Sequence, residues 1–203
     1  ALMMTAGPLV PTASAATIVV NGTTCTLPAA IAAAQTDKAV GGCKSGTSGG
    51  DVISLKTNVT ITLDASPYYS SRTGLPLITS PIIIEGNGHT IRRDPANPRK
   101  FRLLAVGQFG DLTLSNVTLT GGYAYPFDDG EPGWEFRGDG GAVYNAGTLT
   151  LINATVAGNQ AYIDGGGVYS TGDLTVNNSV ISGNAAGHEG GGLYQYSSSG
   201  DYA

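Results

Sequence analysis

The chain has 203 residues, of which 31 are glycine and 15 are Phe, Trp or Tyr; one core built largely from small and β-branched side chains is expected, and the length gives no reason to expect two large domains. Ten Lys and Arg stand against fifteen Asp and Glu, a formal charge of -5 with a pI near 4.8. No basic stripe of the kind nucleic acid requires is present, which excludes a general nucleic-acid binder, and no stretch after the opening residues reaches the roughly 18 to 20 apolar residues that span a bilayer.

Residues 1–16 read as the end of a secretory leader: an apolar run, then Pro11, then Ala13-Ser14-Ala15, the small-residue pattern of a cleavage site, although no basic segment precedes it. An unstructured chain end is the alternative. Residues 17–50 are expected to form an N-terminal cap. Cys25 and Cys43 are the only cysteines; with no histidine nearby they make a poor zinc site, and export would let a disulfide between them persist and close a short glycine-containing loop. Between them, Leu27 to Gln35 is the one credible helix, with Pro28 near its first turn. It is expected to lie over the first coil of residues 51–203 and shield its strands.

β-Prone runs follow at Asp51, Asn58, Pro76 and Arg102. Arg92, Arg93, Arg99, Lys100 and Arg102 crowd half of the chain's positive charge into a short stretch. Such a loop suits carboxylated or sulfated sugars, or is simply solvated charge. The unit "DLTLSNVTLTGG" from Asp111 recurs after 37 residues, one 25-residue period plus a 12-residue insertion. Around that insertion Tyr123, Tyr125, Phe127, Trp134 and Phe136 accompany Asp128, Asp129, Glu131, Glu135 and Arg137. Aromatics stack on sugar rings or anchor a partner, and acids accept hydroxyl hydrogen bonds; the bland alternative is a satellite cluster covering the coil.

From Asp139 the period is 25 residues. Val143, Val168 and Leu193 align, as do Tyr144, Tyr169 and Tyr194, Asn153 and Asn178, and Asn159 and Asn184. The apolar runs are too short for a helical-hairpin repeat and rich in Thr, Val, Asn and Gly, so a parallel β-solenoid with turns stacked roughly 4.8 Å apart is predicted. Asn116, Asn153 and Asn178 are expected to form an internal or turn-lining ladder. After Tyr194 the pattern lapses, which predicts either a solenoid truncated at residue 203 or Tyr196 to Ala203 folded over its end.

Cys25-Thr26-Leu27-Pro28-Ala29-Ala30 resembles the Cys-Ser-Leu-Arg-Glu-Ala segment that leads certain secreted and outer-membrane β-helix proteins, with Pro28 and Ala29 departing from it. Gly140-Gly141-Ala142-Val143 is similar to the Gly-Gly-Ala-Ile box of chlamydial polymorphic outer-membrane proteins. Val156-Ala157-Gly158-Asn159 and Ile181-Ser182-Gly183-Asn184 are similar to their Phe-x-x-Asn box with Phe replaced. The resemblance implies an all-β, right-handed single-stranded parallel β-helix with a short N-terminal capping helix, secreted or on the outer cell surface. Adhesion is the role implied by the outer-membrane relatives, and cleavage of uronate polymers, usually with Ca²⁺, by the pectate-lyase-like ones.

One constellation follows from the period itself. Asp139, Asp164 and Glu189 share a register and are expected to stack as a carboxylate column. Their repulsion raises a pKa or invites a cation, giving either a Ca²⁺ site or a glycosidase-like acid/base pair with Arg137 nearby and His188 beside Glu189. The alternative is that an Asp before Gly-Gly only favours a turn. The expected function is binding of extracellular or cell-wall polysaccharide, with Tyr123, Tyr125, Trp134, Phe136, Asp128, Asp129, Arg92, Arg93, Arg99 and Lys100 as candidate contacts. A Ca²⁺-assisted lyase or hydrolase using the column is the rival.

Overall fold

Short runs of alternating character bury every second side chain: in β11 (Thr148–Ile152) Leu149 and Leu151 are fully buried while the threonines between them stay partly open. A computed structural model of the chain describes residues 14–62, 73–126 and 138–196. Within them such runs form four sheets whose strand pairs are all parallel. The six-stranded sheet takes, in order, β1 (Thr17–Val20), β2 (Asp51–Leu55), β4 (Pro81–Glu85), β7 (Asp111–Ser115), β11 and β15 (Asp173–Asn177). The five-stranded sheet holds β3 (Val59–Ile61), β5 (Thr90–Arg93), β8 (Thr118–Thr120), β12 (Thr155–Ala157) and β16 (Val180–Ser182). The three-stranded sheet holds β9 (Tyr123–Ala124), β13 (Gln160–Ala161) and β17 (Ala185–Ala186), and the four-stranded sheet β6 (Leu104–Val106), β10 (Val143–Asn145), β14 (Val168–Ser170) and β18 (Leu193–Gln195).

From β7 onward the chain visits the six-, five-, three- and four-stranded sheets in turn and then returns to the first. Each circuit pairs with the next in the register the repeat predicts: Val143 with Val168 and Leu193, Tyr144 with Tyr169 and Tyr194. The result is a set of inward files. Ile18, Ile53, Ile84, Leu114 and Leu151 pair in succession and are all fully buried. Each such side chain contributes about 1.5–3 kcal/mol of burial. Val176 continues the file in the last described circuit and is 40% exposed.

One helix, α1 (Leu27–Thr36), covers the opposite end. Pro28 sits in its first turn and Asp37, with φ 53°, ends it in a left-handed conformation. Leu27, Ala30, Ile31, Ala33 and Ala34 are buried, facing β1 and β2. The Cys25–Cys43 disulfide, with Cα atoms 4.6 Å apart, ties the segment before α1 to the loop after it; closing a loop of this length contributes about 3 kcal/mol. Gln35 Oε1 accepts hydrogen bonds from the Thr79 amide (2.6 Å) and hydroxyl (2.9 Å), linking α1 to the segment before β4. No helix among the described residues is long and apolar enough to cross a membrane.

Asn116, Asn153 and Asn178 line a turn rather than the interior. All three are exposed and left-handed (φ 48°, 49° and 49°), and Asn87 (φ 52°) extends the row upstream. Asparagine tolerates this conformation because its short side chain bonds locally. The internal amide ladder is formed instead by Asn159, fully buried, whose Nδ2 donates to Asn184 Oδ1 at 3.0 Å.

Candidate functional site

The corner after β9 and β13 brings three partly or largely exposed tyrosines together. Ala124 pairs with Ala161, so Tyr125 and Tyr162 follow their strands on successive circuits, and the Tyr162 amide donates to the Ala124 carbonyl at 2.9 Å. Their ring centroids lie 5.2 Å apart at 69°, and Tyr123 meets Tyr125 edge-on at 5.9 Å. Tyr125 is 41% and Tyr162 51% exposed. Lys100 completes the cluster, its Nζ 4.5 Å from the centroid of Tyr123 and 4.6 Å from that of Tyr125. Fully buried Phe101 anchors the next position, and its carbonyl accepts the Tyr123 amide at 2.9 Å. Of the predicted contacts, Tyr123, Tyr125 and Lys100 are thus brought together. Asp128, Asp129, Trp134, Phe136 and Arg137 lie outside the described residues.

The basic stretch does not act as one patch. Arg92 Nε donates to Thr60 Oγ1 at 3.1 Å on the outer face of the five-stranded sheet. Arg93 turns back on its own loop, bonding the carbonyls of Asp94, Asn97, Arg99 and Gly121. Arg99 is exposed, its amide held by Asn97 Oδ1 at 2.9 Å. Arg102 is buried, with its guanidinium carbon 5.0 Å from the Tyr144 ring centroid.

Arg102 belongs to the carboxylate column. Asp139 Oδ1 accepts the Asp164 amide at 3.0 Å, and Asp164 Oδ1 accepts the Glu189 amide at 2.8 Å. The Asp139 and Asp164 carboxylates therefore each cap a backbone N–H one circuit on, a bond between circuits rather than within a local turn. Beside the column Tyr144, Tyr169 and Tyr194 stack with centroids 5.3 and 5.5 Å apart. His188 Nδ1 lies 3.9 Å from Asp164 Oδ1 with its side chain 76% exposed, a loose and solvated contact. The metal reading of Asp139, Asp164 and Glu189 gains no support: among the described residues no group of three or more His, Cys, Asp and Glu is placed to hold an ion.

Asp139 is only 3% exposed. Burial pushes its carboxyl up to about 6, against the opposing pull of the Asp164 amide and the Arg102 charge. Burial likewise lowers Arg102 to about 10, with Asp139 opposing, so the guanidinium keeps its proton at neutral pH. A carboxyl whose folded pKa lies above its unfolded value of 3.8 favours the fold most below that value, and the gain is lost as pH rises through about 6. A two-unit difference corresponds to about 3 kcal/mol. Chemical denaturation from pH 4 to pH 7 is therefore expected to show stability falling in that window, and Asp139→Asn to flatten the slope; an unchanged slope in the variant would place the titration elsewhere.

The sequence missed Tyr162 altogether and put Arg102 in a sugar-facing basic loop, where the structure buries it. Tyr162 follows Tyr125 by 37 residues, the displacement already visible between Asp111 and Thr148, so extending that alignment finds it. Arg102 had no such signal, since its burial depends on how the loop before β6 folds. No protein-family model, no curated protein and no solved structure matches this chain.

Proposed function

We propose that the chain is a right-handed parallel β-helix of a secreted or surface-displayed protein and that its tyrosine platform binds extracellular glycans. The four all-parallel sheets visited in rotation, the capping helix and the disulfide support the architecture, together with the right-handed bias of parallel crossovers and the resemblance of the Cys25 segment and the Gly140 box. The observation that carries the function is the exposed cluster of Tyr123, Tyr125 and Tyr162 around Lys100. A sugar ring presents C–H groups to an aromatic face and hydroxyls to the polar rim, and a tyrosine offers both at little ordering cost. Tyr125 and Tyr162 stand on two successive circuits, and Gly187 holds the equivalent place on the next, so the platform spans two circuits.

Titration calorimetry with neutral and acidic polysaccharides tests the reading. Tyr162→Ala is expected to weaken binding about tenfold, or ~1.4 kcal/mol, while leaving the melting temperature unchanged. Loss of melting temperature with no change in binding would make the tyrosines a cover for the coil and end the proposal. The rival lyase or hydrolase has less behind it. Asp139, the one carboxyl among the described residues driven toward neutral pH, is only 3% exposed and its Oδ1 is engaged by the Asp164 amide, which leaves a substrate little access.

A further inference from the structure

The platform has a cation at its centre, and its surroundings hold that cation in place. The loop before Lys100 is stapled: Arg93 Nη1 donates to the carbonyls of Asp94 (3.2 Å), Asn97 (3.0 Å) and Arg99 (3.3 Å), while its Nε donates to Gly121 at 2.9 Å. Asp94 Oδ1 accepts the Ala96 amide, and Asn97 reaches the Thr62 carbonyl. Beyond Lys100, Phe101 is fully buried. A lysine between two such anchors has a fixed backbone, and the ring faces of Tyr123 and Tyr125 draw its ammonium to 4.5 and 4.6 Å. The lysine is exposed, and among the described residues no carboxylate forms an ion pair with it. A neutral sugar needs only the rings. A positioned ammonium beside them, paired with no carboxylate of the described residues, supplies a point charge for an anionic substituent.

We propose that the platform selects anionic sugars, with Lys100 receiving a carboxylate or sulfate while the ring of the same or the adjacent residue packs on Tyr125 and Tyr162. This rests on the glycan-binding reading and narrows it. The protein carries a formal charge of -5, so its overall field does not collect polyanions and selectivity falls to this local cation.

The test holds the sugar backbone constant and varies its charge: dextran, carboxymethyl-dextran and dextran sulfate are titrated into the full chain at low and high salt. Both charged polymers, or one of them, are expected to bind at least tenfold tighter than dextran, and the difference to shrink with salt. Which of the two binds tighter separates a carboxylate from a sulfate site. Lys100→Met should bring the charged polymers down to the level of dextran at an unchanged melting temperature, and Lys100→Arg should restore the preference. A charge preference that survives Lys100→Met, or equal affinity for all three polymers, overturns the proposal. If Tyr162→Ala weakens all three equally while Lys100→Met changes nothing, the platform stands and only the anion selectivity falls; if none of the three binds, both fall together.

Discussion

Gly141→Ala is expected to cost the fold heavily for a single added methyl group. A Cβ at Gly141 would stand 2.2 Å from the Gly166 carbonyl oxygen and 2.3 Å from that of Gln160. Both obstacles are backbone, so neither can rotate away. Relief requires the circuits holding Gly141 and Gly166 to move apart, which strains the bonds from the Gly141 amide to Gly165 (3.1 Å) and from the Ala142 amide to Gly167 (2.9 Å). The loss should reach about 4 kcal/mol, in the range seen for overpacked cores and broken networks. For a chain of this size that lowers the melting temperature by roughly 8–16 °C. Gly183→Asn is the control: an added Cβ there meets nothing within 4 Å, and its φ of 59° is one that asparagine tolerates. A melting temperature for Gly141→Ala equal to that of Gly183→Asn would contradict the close stacking of the circuits.

Asn159→Leu is expected to destabilise by a comparable amount through a different cause. Asn159 is fully buried; its Oδ1 accepts the Gly122 amide at 2.9 Å, and its Nδ2 donates to the carbonyls of Leu119 and Ala157, each at 3.1 Å. Leucine fills a similar volume but leaves these backbone groups without their partner, at about 1–3 kcal/mol for each one that water cannot reach. A total near 4 kcal/mol is anticipated in urea denaturation. Asn184→Leu should cost less, because Asn184 is half-buried and water can replace part of what it loses. Equal effects at the two positions would mean that the buried amide serves packing rather than hydrogen bonding.

These two residues also mark how far the sequence could be read. The 25-residue repeat was legible because identical circuits put equivalent side chains in one environment; Val143, Val168 and Leu193 occur in register for that reason. Upstream circuits differ in length, which hid the relation of Asn87 to Asn116 even though both occupy the same left-handed turn. The shared register of Asp139, Asp164 and Glu189 was legible in the period, but the direction of their side chains was not. Stacked Asp and Glu suggest repulsion, whereas the side chains of Asp139 and Asp164 each direct an oxygen to a backbone amide one circuit on. Side-chain direction and the folding of an irregular loop are three-dimensional facts that periodicity does not carry. The same holds for the basic stretch, whose neighbours in sequence part company: Lys100 meets two tyrosines while Arg102 is buried beside Tyr144.

Because Asp173 takes up the position of Thr148 and Leu174 that of Leu149, removing or duplicating residues 148–172 would leave every later side chain facing the way it did before. Length can therefore vary in heritable steps of one whole unit without any redesign of the interior, as expected where each layer touches only its neighbours. A slip of one residue would instead turn inward-facing positions outward. Genes for such proteins should differ by complete layers, while the loops that leave the stack remain free to diversify.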